Sequence, residues 1–519
     1  MVFKIIHKQA VTKIDVVGQE ELYYFWKKCE ICGRSLDKIL LTWPSIHRTI
    51  SKIPFYKVLV DKFNDISVDY QRKKIYEDLP SIPMKYWINN MNKNLRYNKT
   101  CAKFPSPLDV QYQNLYWQNL RTSQGHYQVF GAYLDTRPGH NQGPTIRILA
   151  MVDQIVPVTP VYCQIWFEGR SKPVITKASE YMLAWRKEFR NYATGIYQPY
   201  LIPCQIPPSS HKLTVAAVSL VEHGCDNATN VLSVFYNKPV SDKRDVAVCV
   251  KGLDFLLEDL SLVLTEWFEM IRLLGADKIY MYTLQVHPNV SKVLKYYEEA
   301  GLIEVRPLTL PAGEPNAPYL QHQFLYNRVS FKRQAELVPY NDCFYKHMYE
   351  YKYITLLDVD EIIVPLIGDT WKDVVNYIED NLDNQYDSYN FRVAIYMTDM
   401  FLTHKSFDDI PEYMHMINHI NRAPIIERPG MYIKSFHNTE TVLSLHNHYP
   451  ITCMMRKRCK NHSMDPKVAL LHHYKRRSIE KYTEFLKTSV ADSTIWKYKS
   501  VLIDRVTGAL KKMGFLVPV

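Results

Sequence analysis

From about residue 246 onward the chain alternates between short apolar strands and helices, and this alternation limits the possible folds more than any other feature. Residues 246–250, 278–282 and 302–305 are predicted strands, and the helical segments between them end at Gly275 and Gly301. Alternating strands and helices build a parallel sheet that helices cover. Ligands of such sheets bind beyond the carboxyl ends of the strands. The sequence therefore predicts an α/β domain, which we assign to residues 239–519.

The part of the chain before this domain has a different pattern. Residues 128–134, 146–152 and 161–167 are rich in β-branched and aromatic residues, and clusters of glycine, proline and aspartate separate them. These segments predict a small sheet or sandwich, so we assign a smaller β-rich domain to residues 106–238. The polar, proline-containing segment 237–244 marks its end.

The first part of the chain, residues 1–105, shows no clear period, and we predict an N-terminal region of unknown role. Cys29 and Cys32 form a CxxC motif there. A zinc site needs two more ligands at a usable spacing, and no second CxxC or histidine pair follows. A local disulfide or two free thiols therefore fit this motif better than zinc.

An acidic triplet interrupts an apolar stretch within the α/β domain. The apolar residues 354–357 lead into Asp358, Asp360 and Glu361, and residues 362–364 are apolar again. Carboxylates seldom follow a core strand unless something pairs with them. Strand side chains alternate, so both aspartates are expected on the same side at the carboxyl edge of the strand. Two hard oxygen donors suit Mg²⁺ or Mn²⁺, and such an ion could hold a diphosphate.

Composition narrows the choice of partners. The net charge of +11 favours anionic partners, but the charges are scattered and show no nucleic-acid-binding signature, so no nucleic-acid partner is predicted. Ten cysteines favour a secretory compartment, as do four glycosylation sequons at Asn98, Asn227, Asn289 and Asn461. The first residues show no signal peptide, and no apolar run has the length of a membrane span. We therefore expect either a cytosolic protein or a chain that lacks its anchor.

A series of segments in order resembles glycosyltransferase family 92, most closely its arthropod members. Besides the acidic triplet, these segments are residues 247–253, 273–278, 285–294, 337–343, 413–416, 436–440, 445–450 and 473–475. The resemblance extends from about residue 116 to residue 496. It implies a GT-A fold, the nucleotide-sugar variant of the Rossmann theme, and an inverting transfer of galactose from UDP-galactose to a glycan or glycoprotein, such as the core fucose of N-glycans. It also implies association with the Golgi membrane and a lumenal catalytic domain.

The resemblance and the chemistry of the residues together predict the donor site. Asp360, with Asp358 bound directly or through water, would hold Mn²⁺ (or Mg²⁺), which would stabilise the charge on the departing UDP. By resemblance His473 is the third ligand. The other histidines that could serve are His472, His446 and His448. Lys475 and Arg476 would then lie near the phosphates of the UDP-sugar.

Five further residues have roles that the sequence leaves open. Glu361 could contact the donor sugar or support a metal ligand, or it could simply end the strand. An inverting transfer needs one general base, and Asp399 and Glu440 are both candidates. Asn341 and Asp342 could contact the nucleotide or cap the helix that contains them.

Two other functions fit parts of the sequence. A haloacid-dehalogenase-like phosphatase also ends a strand with Asp-x-Asp, but threonine or valine usually follows the second aspartate there, and here Glu361 does. A catalytically inactive glycan-binding relative would suit the tyrosine-rich β region, but it has no need of a metal–diphosphate site. The predicted function is the one that the resemblance implies, an inverting, metal-dependent glycosyltransferase.

Overall fold

The computed structural model describes residues 68–90, 101–138, 143–382, 386–399, 407–454, 458–477 and 479–516. The chain forms two compact units, residues 1–75 and 76–519. Of the first unit, the structure describes only the beginning of helix α1 (Val68–Asp78). Cys29 and Cys32 lie outside the described residues. The second unit contains every other described element, and a short helix α2 (Met84–Asn90) comes first in it.

The β-rich region folds into a sheet to which nine strands of the described residues belong. They are β1 (Gln118–Arg121), β2 (His126–Asp135), β3 (Thr145–Val152), β4 (Tyr162–Phe167), β5 (Val174–Lys177), β6 (Met182–Leu183), β7 (Gln198–Gln205), β8 (Val215–Val221) and β9 (Leu232–Phe235). Their order is β5-β4-β8-β9-β2-β3-β7-β6, with β1 beside β2. Val129, Ile148 and Ile165 are fully buried in its core. The three predicted strands are confirmed as β2, β3 and β4.

The residues after this sheet form the predicted α/β region. Its strands are β10 (Arg244–Phe255), β11 (Lys278–Val286), β12 (Ile303–Pro307), β13 (Tyr351–Leu356), β14 (Glu361–Pro365), β15 (Ser388–Phe391), β16 (Val393–Asp399), β17 (Asn421–Arg422), β18 (Lys434–Asn438), β19 (Val442–Leu445), β20 (Pro450–Cys453), β21 (Asn461–Ser463), β22 (Ala469–Arg477) and β23 (Val490–Ala491). Its helices are α3 (Ser261–Leu273), α4 (Pro288–Glu299), α5 (Pro318–Asn327), α6 (Val329–Ala335), α7 (Leu337–His347), α8 (Trp371–Asn381), α9 (Ile479–Leu486) and α10 (Lys499–Lys512). The predicted fold class, an α/β domain preceded by a smaller β-rich one, is confirmed.

The main sheet of this region has the order β12-β11-β10-β13-β18-β15-β21. The strands β12, β11, β10 and β13 run parallel, as the alternation predicts, whereas β18 is antiparallel to β13. Helix α3 packs a fully buried face, including Leu264, Trp267 and Ile271, into the main core. Gly275 ends this helix with a φ of +90°, a conformation that glycine adopts without strain. The boundaries of the predicted domains stay a prediction, because both sheets belong to one compact unit.

Two elements differ from the sequence-based expectation. The sequence predicts one helix over residues 327–349, but the structure divides residues 327–347 among α5, α6 and α7. Arg328, with φ −117° and ψ 58°, leaves the helical conformation between α5 and α6. Pro339 stands in the first turn of α7, where its missing N–H leaves no helical hydrogen bond unmade.

The acidic triplet lies in a turn rather than at the end of a strand. Strand β13 ends at Leu356 and β14 begins at Glu361. The backbone N–H of Glu361 donates to the carbonyl of Asp358 at 3.0 Å, which closes a four-residue turn. The prediction that the first strand itself carries both aspartates was therefore wrong. β14 then joins a second sheet, in the order β14-β22-β16-β17-β23.

Four disulfides join cysteines of the described residues, namely Cys101–Cys225, Cys163–Cys204, Cys249–Cys343 and Cys453–Cys459. Cys249–Cys343 ties β10 to α7, and Cys163–Cys204 ties β4 to β7. In the part of the chain that the structure describes, every helix is too short or too polar to cross a bilayer.

Candidate active site

A cleft of about 490 Å³ opens beyond the carboxyl ends of β10 and β13. It is lined by residues 250–255, Glu258, Leu260, Val263, Lys332, residues 358–360, His415 and residues 473–476. This is the edge of the sheet where the strand–helix alternation predicts ligand binding. Five of the residues predicted from sequence line it: Asp358, Asp360, His473, Lys475 and Arg476.

Strand pairing brings His473 to the acidic turn. In the antiparallel pair of β14 and β22, Glu361 stands opposite His473. His473 Nε2 lies 3.4 Å from Asp360 Oδ2, and Nδ1 lies 3.5 Å from Glu361 Oε1. The imidazole thus stands between an outer and a buried carboxylate. A carboxylate behind the distal nitrogen is the usual way to orient a metal-binding histidine.

Asp358 has a different environment from Asp360. Its carboxylate oxygens lie 3.0 Å from Lys251 Nζ and 3.2 Å from Lys434 Nζ. Burial alone would raise the pKa of Asp358, but the charges of Lys251 and Lys434 together lower it well below its usual value. The carboxylate is therefore ionised and already neutralised by side chains of the protein.

Lys434 links this carboxylate to the rest of the turn. The side chain is fully buried, and its Nζ lies 3.1 Å from Glu361 Oε2 and 2.6 Å from Asn447 Oδ1. Burial lowers the pKa of Lys434, but Asp358 and Glu361 raise it more, so the amine stays charged. Glu361 Oε2 also accepts the backbone N–H of Asp358 at 3.1 Å. The sequence left the role of Glu361 open. In the structure its side chain contacts the turn and Lys434, and it lies next to His473.

Asp360 and His473 fit a divalent ion. Ligand atoms about 2.1 Å from one octahedral ion are roughly 3 Å apart, close to the 3.4 Å between Asp360 Oδ2 and His473 Nε2. The Asp360 side chain is 45% exposed, so an ion could reach it from the cleft. Asp358 fits less well as a direct ligand, because a lysine lies close to each of its oxygens. The metal ligands themselves stay a prediction.

Cationic side chains surround the same cleft. Lys475 Nζ lies 5.1 Å from the centre of the Tyr432 ring, and Arg476 Nη1 lies 3.8 Å from Glu258 Oε2. Lys332 also lines the cleft and lies 3.3 Å from Asp254 Oδ2. The same lining also carries the carboxylates of Asp254, Glu258, Asp358 and Asp360, and Lys475, whose described contact is with a ring, is the cation best placed to bind a phosphate oxygen.

The structure places Asn341 and Asp342 away from the cleft lining. Asn341 is buried in α7, where it donates to the carbonyls of Leu337 and Leu445 at 2.8 and 3.0 Å. Asp342 is also buried and accepts from the hydroxyls of Tyr133 and Tyr282 and from Lys346 at 2.7 Å. Neither caps the helix, whose N-cap is Glu336, so the capping expectation was wrong. Their contacts are those of packing residues.

The two candidate bases are not brought to the acidic turn by any described contact. Glu440 forms an ion pair with Lys243, is more than half exposed, and lies outside the cleft lining. Asp399 is described by its backbone alone. It is the last residue of β16 and pairs with Arg477 of β22. The role of general base stays a prediction for both.

The alternative histidines also face elsewhere. His472 is fully buried, and its Nε2 lies 3.4 Å from the Tyr396 hydroxyl. His446 stacks on the Phe189 ring at 4.4 Å, and His448 Nδ1 lies 2.8 Å from the carbonyl of Ile433. None of these three lines the cleft.

A second group of possible metal-binding atoms occurs within the described residues, but it is not a metal site. Asp387, Cys453 and Cys459 offer atoms within 4.8 Å of one another. The two cysteines form a disulfide, so neither can supply a thiolate.

Sequence reasoning missed Lys251, Lys434 and His415. Lys251 and His415 stand in segments that carry the family resemblance, 247–253 and 413–416, and this was the available signal. For Lys434, the signal is a lysine in an otherwise uncharged stretch, residues 431–436. Nothing local links Lys434 to Asp358, because 76 residues separate them.

Comparison with known proteins gives a match to one family and matches to solved structures, two of which are of the same protein. The sequence model of glycosyltransferase family 92 matches residues 244–506 of this chain. No curated protein matches the sequence. The structures are of S. aureus TarS residues 1–349, in complex with UDP-GlcNAc and with UDP. Both are 10% identical and cover 52% of this chain, with TM-scores of 0.22 and 0.21 over 73% and 72% of the TarS chain.

The family match includes both the acidic turn and His473, and it extends over more than half of the 519 residues. The chain therefore belongs to glycosyltransferase family 92.

Proposed function

We propose that this glycosyltransferase is inverting and metal-dependent, and that it moves a hexose, galactose by resemblance, from a UDP-sugar to a glycan. The observation that carries the proposal is the meeting of Asp360 and His473 in a cleft that Lys475 and Arg476 also line. A glycan-binding protein has no need of such a set. A nucleotide-sugar transferase needs a cation and basic side chains where the diphosphate leaves.

Several side chains in the cleft and behind it then have a task. Asp360 and His473 would hold Mn²⁺ or Mg²⁺, which supplies positive charge to the departing diphosphate. Glu361 stands 3.5 Å behind Nδ1 of His473 and ties the turn to Lys434. Lys475 and Arg476 bind the phosphate oxygens. Lys251 and Lys434 keep Asp358 in place, so that the turn has its shape before the donor binds.

The acceptor side of the reaction rests on the resemblance. An inverting transfer needs one base that takes the proton of the attacking hydroxyl. We keep Asp399 and Glu440 as candidates, and a glycan such as the core fucose of an N-glycan as the proposed acceptor. The ion pair of Glu440 with Lys243 favours Asp399 of the two.

We also propose that the catalytic region works in the secretory pathway, in the Golgi lumen by resemblance. Disulfides form and persist in oxidising compartments, and four occur within the described residues. The sequon residue Asn227 is exposed and accessible to a glycan. If the proposal holds, protein from secretory cells loses apparent mass on deglycosylation, and Asn227→Gln loses part of that change. Protein that carries no N-glycan in such cells would contradict it.

The function is tested by incubating the purified protein with a panel of UDP-sugars, Mn²⁺ and a fucosylated glycan. We expect transfer from one UDP-hexose, its loss with EDTA and its return with added Mn²⁺. Glycan binding without turnover and without UDP binding would favour the inactive relative. Release of phosphate from an aryl phosphate, without sugar transfer, would favour the phosphatase.

A further inference from the structure

His415 lies on the wall of the cleft and has no role in the proposed metal or phosphate contacts. The residue is 2% exposed, yet it lines the cleft. Its Nδ1 makes no hydrogen bond to any of the residues that the structure describes. A buried polar atom without a partner is costly, so such atoms in folded proteins usually have one. Nδ1 itself is enclosed by protein atoms, so a ligand in the cleft meets the ring at its Nε2 edge, which makes no hydrogen bond to a described residue.

The backbone around His415 is fixed in place by a buried carboxylate. Glu266 of α3 accepts the N–H groups of His415, Met416 and Ile417, the last at 3.3 Å. The carbonyl of His415 lies 2.8 Å from Nδ1 of His419. The position of the imidazole is therefore set before any ligand binds, as a specific contact requires.

The surroundings of the ring keep it neutral. Burial, followed by the nearby His419 and Arg476, holds the pKa of His415 well below its usual value. A neutral imidazole has one N–H donor and one acceptor nitrogen. The same surroundings disfavour an imidazolium, which argues against His415 as the general base and against an ion pair with phosphate. A hydroxyl group also donates and accepts, so it is the complementary partner.

On the basis of the proposed function, we propose that His415 hydrogen-bonds a hydroxyl group of the nucleotide-sugar donor. The hydroxyl belongs either to the ribose or to the transferred hexose, since both would occupy this cleft with the diphosphate at Lys475 and Arg476. His415 is then a donor-binding residue next to the metal and phosphate contacts, and it contributes to the choice of donor.

The test measures binding by calorimetry in the presence of Mn²⁺, with UDP, 2′-deoxy-UDP, 3′-deoxy-UDP and UDP-galactose as probes. For a ribose contact, we expect His415→Phe to weaken UDP binding about tenfold. One deoxy-UDP should bind about tenfold more weakly to the wild type, yet as tightly as UDP to His415→Phe. A residue that matters only for folding would not cancel the effect of one missing hydroxyl.

For a hexose contact, His415→Phe should bind UDP like the wild type and bind UDP-galactose about tenfold more weakly. His415→Gln keeps a donor and an acceptor and should restore part of the affinity. If His415→Phe does not fold, His415→Gln is compared with the wild type across the same probes, and a smaller penalty for one deoxy probe supports the contact.

Two results would overturn the inference, and they differ from each other. If the wild type binds UDP or UDP-galactose and the folded variants bind every probe within twofold of it, His415 does not contact the donor, while the proposed function stands. If the wild type binds neither UDP nor UDP-galactose, the proposed function fails and this inference fails with it.

Discussion

Buried carboxylates occur in the β-rich sheet and around the cleft, but their partners differ. Asp135 of β2 is fully buried and accepts from Arg137 at 2.8 and 2.9 Å and from Arg147 at 2.8 Å. Arg137 in turn donates to the carbonyls of Thr439 and Val442 at 2.6 and 2.7 Å. This network joins the β-rich sheet to the α/β region, and its charges are satisfied by the protein itself.

The carboxylate of Asp360 is the opposite case. It is 45% exposed at a cleft, and its closest described titratable neighbour is His473, whose Nε2 lies 3.4 Å from Oδ2. Asp358 lies two residues earlier, and in its pairing it is more like Asp135 than like Asp360, because Lys251 and Lys434 neutralise its charge. The difference teaches that residue type alone does not separate a structural carboxylate from one that is left for a ligand: the two that lysine or arginine neutralises are the less exposed ones, and Asp360 is both more exposed and without such a partner among the described residues.

The largest expected effect is on activity, at Asp360. We expect Asp360→Ala to lower kcat/KM for sugar transfer by a thousandfold or more, about 4 kcal/mol, because a metal ligand acts on the charge of the leaving group. The thermal midpoint should stay within about 1 °C, since the side chain is largely exposed. Transfer kinetics and a thermal scan measure the two effects.

The matched control for this variant is Asp369→Ala. Asp369 is 81% exposed, pairs with Lys497 and lies outside the cleft lining. The Asp369→Ala variant should keep kcat/KM within twofold of the wild type. If Asp360→Ala and Asp369→Ala are equally active, Asp360 is not part of the active site.

The second effect is on stability, at Asp135. We expect Asp135→Asn to lower the free energy of unfolding by about 3 kcal/mol, because it leaves two buried arginines without their counter-ion. Urea unfolding measures this change, and the protein that remains folded should keep its kcat/KM. Asp226→Asn, at an exposed ion pair with His223, is the control and should change stability by less than about 0.5 kcal/mol.

The third prediction compares the two aspartates of the turn. We expect Asp358→Asn to weaken Mn²⁺ binding by less than about fivefold, and Asp360→Asn to weaken it by about a hundredfold. Lysines already occupy the surroundings of both Asp358 oxygens, so its loss should matter less to the ion. Calorimetric titration with Mn²⁺ tests this, and equal losses in both variants would show that both residues are direct ligands.

The smallest effect is expected at Glu440. Its ion pair with Lys243 is partly exposed, and exposed pairs contribute about 0–1 kcal/mol to stability. We expect Glu440→Gln to keep kcat/KM within about twofold of the wild type. A loss above a hundredfold in steady-state transfer, with normal UDP binding, would instead identify Glu440 as the base.

Elements with a strong local period could be predicted from the sequence. The strands β2, β3 and β4 and helix α3 each carry their apolar residues at the spacing that burial requires. The acidic triplet could be found for the same reason, because charged residues stand out between apolar strands. His473 was found by resemblance, not by any pattern around it.

Contacts between distant segments could not be predicted in this way. The expectation that Asp358 and Asp360 share one side assumed a continuous strand, but the hydrogen bond from Glu361 to Asp358 closes a turn and separates their environments. Asp358 pairs with Lys251, which lies 107 positions before it in the sequence, and with Lys434, which lies 76 positions after it. No local pattern contains such a pairing.

The register of β22 has a consequence for how this chain can change. Strand β22 has neighbours on both edges, since His473 stands opposite Glu361 of β14 and beside Ile395 of β16. Deleting one residue early in β22 would turn every later side chain to the other face. Tyr474 would then take the place of His473 at the cleft, and His473 would meet Tyr396 in the core. Related sequences should therefore vary in length in the loops that flank this strand, and within it only by substitution.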